Sequence, residues 1–264
     1  MRRFALAAAL AVCMTPAWAE MKAEPVEWTL DGKDYEGVLV YDGVNAIARP
    51  GLVMVPNWMG VTPAAIETAR KIARDDYVVL VADVYGAGVR PKNSEEAGKL
   101  AGQLRNDRSE LRARVVKAVE VLKAQAGPAP LDAGRIGALG FCFGGTTALE
   151  LVRGGSELAG VVSLHGGLET SDPADRNSAR TPVLVLNGAD DRGITDAHID
   201  SFETEMDAAG ADWQFVNFSG AAHCFAEPEA GDNPESNCRY DARAAKRAYR
   251  MLHGFFEERF GQAE

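Results

Sequence analysis

The segment Gly140-Phe141-Cys142-Phe143-Gly144-Gly145 sets a thiol between glycines, directly after the apolar run Arg135-Ile136-Gly137-Ala138-Leu139 and just before the helix-forming Ala148-Leu149-Glu150-Leu151. A strand that ends in Gly-x-nucleophile-x-Gly and turns at once into a helix is a nucleophile elbow. Its glycines permit a strained turn that presents the central side chain at the tip. A thiol attacks as its thiolate, and a helix N-terminus with a nearby histidine lowers its pKa from about 8.5 into the range of roughly 3.5–7.5. The chemistry this allows is attack on a carbonyl through an acyl-thioester that water then cleaves. The plainer reading of the same residues is a buried cysteine packing as a small hydrophobe.

Such a nucleophile needs a base and an acid, and candidates for both follow in the chain. Pro182-Val183-Leu184-Val185-Leu186-Asn187-Gly188 reads as a buried strand running into Ala189-Asp190-Asp191. Trp213 to Phe218 reads as another strand, followed by Ser219-Gly220-Ala221-Ala222-His223. Each candidate lies just past the C-terminal end of an expected strand, where open α/β sheets hold their sites. Taken singly, Asp190 or Asp191 serves as well as a turn or helix cap, and His223 as a structural histidine. Their joint order of nucleophile, carboxylate and histidine is the order of α/β-hydrolase triads.

The elements that must position these groups alternate. Val26–Leu30 and Tyr35–Tyr41, around Asp31-Gly32-Lys33, read as an antiparallel hairpin. Buried strands are expected at 51–56, 77–82 and 158–164, and the first of these leads to a helix that Thr62 caps and Pro63 begins. One long helical stretch covers 94–125, interrupted if anywhere at Gly102, and further helices are expected near 194–209 and 240–260. Strands alternating with helices predict an α/β fold: a mostly parallel central sheet with helices on both faces and the N-terminal hairpin at one edge.

The first residues carry a different message. Met1-Arg2-Arg3, the apolar run Phe4–Met14 and Ala17-Trp18-Ala19 before Glu20 describe a secretory signal peptide over 1–19. The apolar run is too short to span a membrane. Cys13 follows Leu10-Ala11-Val12, but Val12 is bulky where a lipoprotein box needs a small residue. We therefore expect a soluble secreted or periplasmic protein with one domain over 20–264, a length that suits one α/β domain. The net charge of −10 argues against nucleic-acid and anionic-membrane partners. Nothing in the sequence implies a metal or an organic cofactor.

The chain resembles the dienelactone hydrolase family of the α/β-hydrolases along most of its length. The matching residues are Asn57-Trp58-Met59-Gly60, Ala82-Asp83-Val84-Tyr85-Gly86, Gly140 to Gly145, His165-Gly166, Gly188-Ala189-Asp190-Asp191 and His223-Cys224-Phe225. The resemblance implies hydrolysis of an ester or lactone by Cys142, Asp191 and His223, with Asp191 preferred because the family spaces its acid as Gly-x-x-Asp. It also implies an oxyanion hole from the backbone amides of Phe143 and Trp58. This chain departs from the family pattern at three pocket positions. Asn57 replaces a glutamate, Cys224 a serine, and Glu227 an arginine that holds a substrate carboxylate. Neutral esters are therefore expected over anionic dienelactones, with Asn57, Cys224 and the loop residue Arg90 as candidate substrate contacts.

Removal of the signal peptide leaves Cys142, Cys224 and Cys238. In an oxidising compartment Cys224 and Cys238 are expected to bridge and restrain the polar loop between them. The alternatives are a Cys224 that lines the pocket unpaired, or one that pairs with Cys142. The leading function is an exported hydrolase of a small carboxylic ester or lactone, acting as a monomer or small homo-oligomer. A thioesterase or peptidase on the same scaffold is the chemical neighbour, and a binding protein without turnover is the alternative from another class.

Overall fold

The computed structural model describes residues 21–261, so the expected signal peptide lies outside the described residues. Ten-residue strands β1 (Met21–Leu30) and β2 (Lys33–Asp42) pair antiparallel from Met21↔Asp42 to Leu30↔Lys33. Between them Asp31 and Gly32 both take positive φ, 48° and 75°, the backbone twist that a two-residue hairpin turn requires. The remaining strands are β3 (Arg49–Val55), β4 (Val78–Val81), β5 (Leu131–Phe141), β6 (Val161–Leu164), β7 (Val183–Gly188) and β8 (Trp213–Phe218). All lie in one eight-stranded sheet of order β1-β2-β4-β3-β5-β6-β7-β8, parallel from β4 through β8. The hairpin joins one edge, with β2 antiparallel to β4.

Alternate strand residues face opposite layers. Val53 and Val55 pack into one core with α2 (Ser94–Asn106), α3 (Arg108–Lys123), α4 (Phe143–Arg153) and α5 (Asp196–Ala209). Leu52 and Met54 pack into a second core with α1 (Pro63–Ala73) and α6 (Ala242–Gly261). Burial on both faces explains why β3, β4, β6 and β7 read as unbroken apolar runs. Thr62 caps α1 by accepting the amide of Ala65 at 3.2 Å, as its position before Pro63 predicts.

The break in the long helical stretch differs from the sequence reading, as do the starts of β1, at Met21 rather than Val26, and β6, at Val161 rather than Leu158. Gly102 sits inside α2, and the long helical stretch breaks instead at Asp107. There the backbone leaves helical geometry (φ −124°, ψ 82°), and the side chain accepts the Glu110 amide at 3.0 Å to cap α3. A short acceptor beside free amides outcompetes a glycine whose only effect is a small loss of propensity. The break turns the chain over the C-terminal end of β5, where it carries Arg105 and Arg108.

Candidate active site

Strand β5 delivers Cys142 and α4 starts at the next residue, so Cys142 is forced to φ 53°, ψ −117°. A non-glycine residue held there is strained and persists because its surroundings leave no alternative. The adjoining glycines are sterically required. A Cβ on Gly140 would lie 2.0 Å from the Gly144 carbonyl oxygen, and one on Gly144 would lie 2.0 Å from that of Val55.

The three residues expected to form a triad meet in space. His223 Nε2 lies 3.0 Å from Cys142 Sγ, and His223 Nδ1 lies 2.7 Å from Asp191 Oδ2. Asp190, its neighbour, is exposed. The second oxygen of Asp191 accepts the amide of Gly193 at 2.8 Å and the side-chain amide of Asn237 at 3.0 Å. Burial acts against the charge on Asp191, but these bonds and the His223 contact outweigh it and hold the carboxyl at about 2. Burial likewise opposes the imidazolium of His223, yet Asp191 and Cys142 stabilise it and lift its pKa to about 10. The arrangement therefore supports an imidazolium at neutral pH, held between the Asp191 carboxylate and the Cys142 sulfur.

A second group of polar residues backs the thiol. The Cys142 amide is shared between the Leu164 carbonyl at 3.0 Å and Nδ1 of His165 at 3.1 Å. His165 is fully buried, and burial holds its pKa well below the ordinary value, so the ring is neutral. With Nδ1 accepting, the proton belongs on Nε2, which faces Glu227 Oε2 at 3.8 Å. Glu227 accepts a hydrogen bond from the Asn57 side-chain amide, and burial pushes its carboxyl up to about 7 despite that bond.

The two backbone segments expected to supply an oxyanion hole are tied together by Tyr85. Its hydroxyl donates to the Trp58 carbonyl at 3.0 Å and its ring stacks on Phe143 at 5.7 Å. Burial raises the Tyr85 pKa, which keeps the phenol protonated as a donor.

A cavity of about 340 Å³ opens beside the thiol, lined in part by Arg105, Arg108, Cys142, Thr146, Asp191 and His223. Its size suits a small organic molecule. Arg90 is placed elsewhere. Its guanidinium donates to the carbonyls of Gly86, Val89 and Glu36 and sits 3.5 Å from Asp83. Cys224 is bonded to Cys238, and Cys142 is the free thiol among the described residues. That bridge closes the loop behind His223, and the backbones of His223 and Cys238 pair across it. The sequence reading missed Asn237 and His165 as neighbours of the triad. The His165-Gly166 match and the place of Asn237 beside Cys238 were the available signals.

The sequence model of the "Dienelactone hydrolase family" matches residues 37–260. The solved structure of m3DLH is 34% identical, covers 90% of this chain and 98% of its own, and superposes with a TM-score of 0.84. A dienelactone hydrolase-like promiscuous phosphotriesterase from metagenomic libraries is 31% identical, with the same coverage and a TM-score of 0.83. Among curated relatives, one from Aquifex aeolicus named as an inferred carboxymethylenebutenolidase is 24% identical over 238 residues, 84% of this chain and 98% of the relative.

Proposed function

This chain belongs to the dienelactone hydrolase family of carboxylic ester hydrolases, and from that premise we propose that it is an exported enzyme that cleaves a small ester or lactone through Cys142, His223 and Asp191. The observation that carries the proposal is the continuous contact Sγ–Nε2, 3.0 Å, and Nδ1–Oδ2, 2.7 Å. The thiolate of Cys142 adds to the carbonyl carbon, and the amides of Phe143 and Trp58 stabilise the oxyanion. One such donor is worth about a hundredfold or more in rate. As the tetrahedral adduct collapses, His223 gives its Nε2 proton to the leaving alcohol. Water then enters, His223 takes its proton, and the hydroxide adds to the acyl-thioester. Collapse of that second adduct releases the acid and restores the thiolate. Asp191 holds the ring and stabilises its charged form throughout. The phosphotriesterase neighbour extends the reading to phosphorus, since the same thiolate and amides suit attack on a P=O centre.

The test is a panel of 4-nitrophenyl esters and small lactones assayed on the purified chain, with intact-mass detection of the acylated protein. Turnover lost in step with alkylation of Cys142 supports the reading. Turnover that survives full alkylation, or ligand retained without product, overturns it. Export is tested separately by N-terminal sequencing of protein recovered from the compartment, where a start at Glu20 is expected.

A further inference from the structure

One buried titratable side chain beside the thiol takes no part in the triad. His165 directly follows β6, the strand next to β5, and its ring is wholly enclosed. Its Nδ1 accepts the Cys142 amide at 3.1 Å, alongside the Leu164 carbonyl at 3.0 Å. Its Nε2 is buried without a hydrogen-bond partner, 3.8 Å from Glu227 Oε2. A buried ring with one nitrogen unsatisfied costs stability that an apolar side chain would not. Packing alone does not account for a histidine here.

The backbone points the same way. His165 holds φ 40° and Cys142 φ 53°, so two strained non-glycine residues at adjacent strand ends are joined by the N–H···Nδ1 bond. Such strain gathers at functional sites, and histidine is among the few residue types enriched at positive φ. The turn after His165 is pressed against the first turn of α4, where a Cβ on Gly166 would lie 2.7 Å from the Thr146 nitrogen. The His165 amide donates to the Leu186 carbonyl at 2.8 Å, which ties this turn to β7. The ring also meets those of His223 and Phe225 edge-on, each at 5.3 Å. His165 therefore contacts the nucleophile through its backbone and the base through its ring.

We propose that His165 is a positioning residue for the nucleophile: its Nδ1 lone pair holds the Cys142 amide, and with it the elbow torsion that aims Sγ at His223 Nε2. The proposal rests on the hydrolase reading above and adds to that site a residue outside the triad. Amide and thiol belong to one residue, so the bond fixes the peptide plane from which Sγ projects. Only a neutral ring can do this, because a proton on Nδ1 would face the Cys142 N–H donor to donor. Burial keeps the ring neutral. Misplacing a reacting group by about 1 Å costs on the order of a hundredfold in rate, which gives one bond at the elbow its leverage.

Two substitutions separate the acceptor from the bulk of the ring. His165→Asn places Oδ1 where the ring places Nδ1, and asparagine tolerates positive φ. His165→Gln reaches toward the Nε2 position and leaves the Cys142 amide without its second acceptor. On one 4-nitrophenyl ester, the Gln variant is expected to lose about tenfold or more in kcat with KM little changed, because His165 acts through Cys142 and not on substrate. The Asn variant is expected to stay within about threefold of the parent. Alkylation supplies a readout that needs no turnover. The Cys142 thiolate displaces iodide from iodoacetamide, and the rise of this rate with pH is expected to move to higher pH in the Gln variant and to stay in place in the Asn variant. A sulfur moved off the His223 imidazolium loses the charge that favours its thiolate. If the Gln variant does not fold, His165→Gly removes the same acceptor with a residue at ease at positive φ. In the nitrogen-15-labelled parent protein the bond is read as a scalar coupling between the Cys142 amide nitrogen and His165 Nδ1, and absence of that coupling overturns the proposal without any variant. Equal loss in the Asn and Gln variants, or no loss in either, also overturns it and leaves the hydrolase reading intact. Failure of the parent protein to cleave any ester overturns the hydrolase reading, while the alkylation profiles still decide the role of His165.

Discussion

The side-chain amide of Asn57 donates to the carboxylate of Glu227, joining residues 170 positions apart. The resemblance read from sequence implies two separate departures here, an amide in place of a glutamate and a glutamate in place of an arginine. In space they are one contact, so the second change supplies a partner for the first. The Glu227 carboxylate lies 3.8 Å from His165, whose Nδ1 accepts the amide of the nucleophile.

That carboxylate makes stability depend on pH. Its folded pKa of about 7 lies above the ordinary glutamate value of 4.5, so its proton is held more tightly in the folded chain. The stability it contributes is fully present below pH 4.5 and is lost as pH rises through 7. The size is on the order of 3 kcal/mol. Glu227→Gln, unfolded in urea at pH 5 and pH 8, is expected to lose this part of the pH slope. An identical slope in both proteins refutes the assignment.

For the acid of the triad, Asp191→Asn is expected to lower kcat by about a thousandfold or more, because the histidine loses both its orientation and its counter-charge. Asp190→Asn is expected to change kcat by less than about twofold, as exposed sites usually tolerate substitution. Steady-state kinetics on one ester ranks the two. The reverse ranking moves the acid by one residue.

Asn237 holds Oδ1 of Asp191 while its own carbonyl accepts the Arg192 amide at 3.0 Å. Asn237→Ala is expected to cost roughly 1–1.5 kcal/mol in the chemical step, about tenfold in kcat, with KM little changed. A loss confined to KM shows that Asn237 meets substrate instead.

Tyr85→Phe removes the hydroxyl that fixes the Trp58 carbonyl and keeps the ring on Phe143. The expected result is a fall of about three- to tenfold in kcat at unchanged fold stability to within about 1 kcal/mol. Unaltered kcat shows that the Trp58 amide needs no such anchor.

The fold was legible because its signals are local. Strand β8 spans the residues expected from sequence, since Trp213–Phe218 is bounded by Asp212 and Ser219. The elbow and the order of Cys142, Asp191 and His223 were readable for the same reason: each sits one turn beyond a strand. What was hidden depends on contacts across long separations. Arg90 reads as a free cation in a loop, and only the fold brings Asp83 and three carbonyls around it. Arg105 and Arg108 carried no signal within the one expected helical stretch, and only the break at Asp107 and the packing of the fold bring both to the wall of the cavity beside the thiol. Asn237 lies 46 positions from the carboxylate it binds, with no periodicity to mark it.

The loop closed by the Cys224–Cys238 bridge is fixed at both ends, through His223 on one side and through Asn237 on the other. Between them, Gly231–Glu235 is exposed and far from any core cluster. Length and composition there are thus uncoupled from the alignment of base and acid. The segment is a cassette: a graft of several residues at Asp232 alters the surface of this loop without retuning the machinery at its ends.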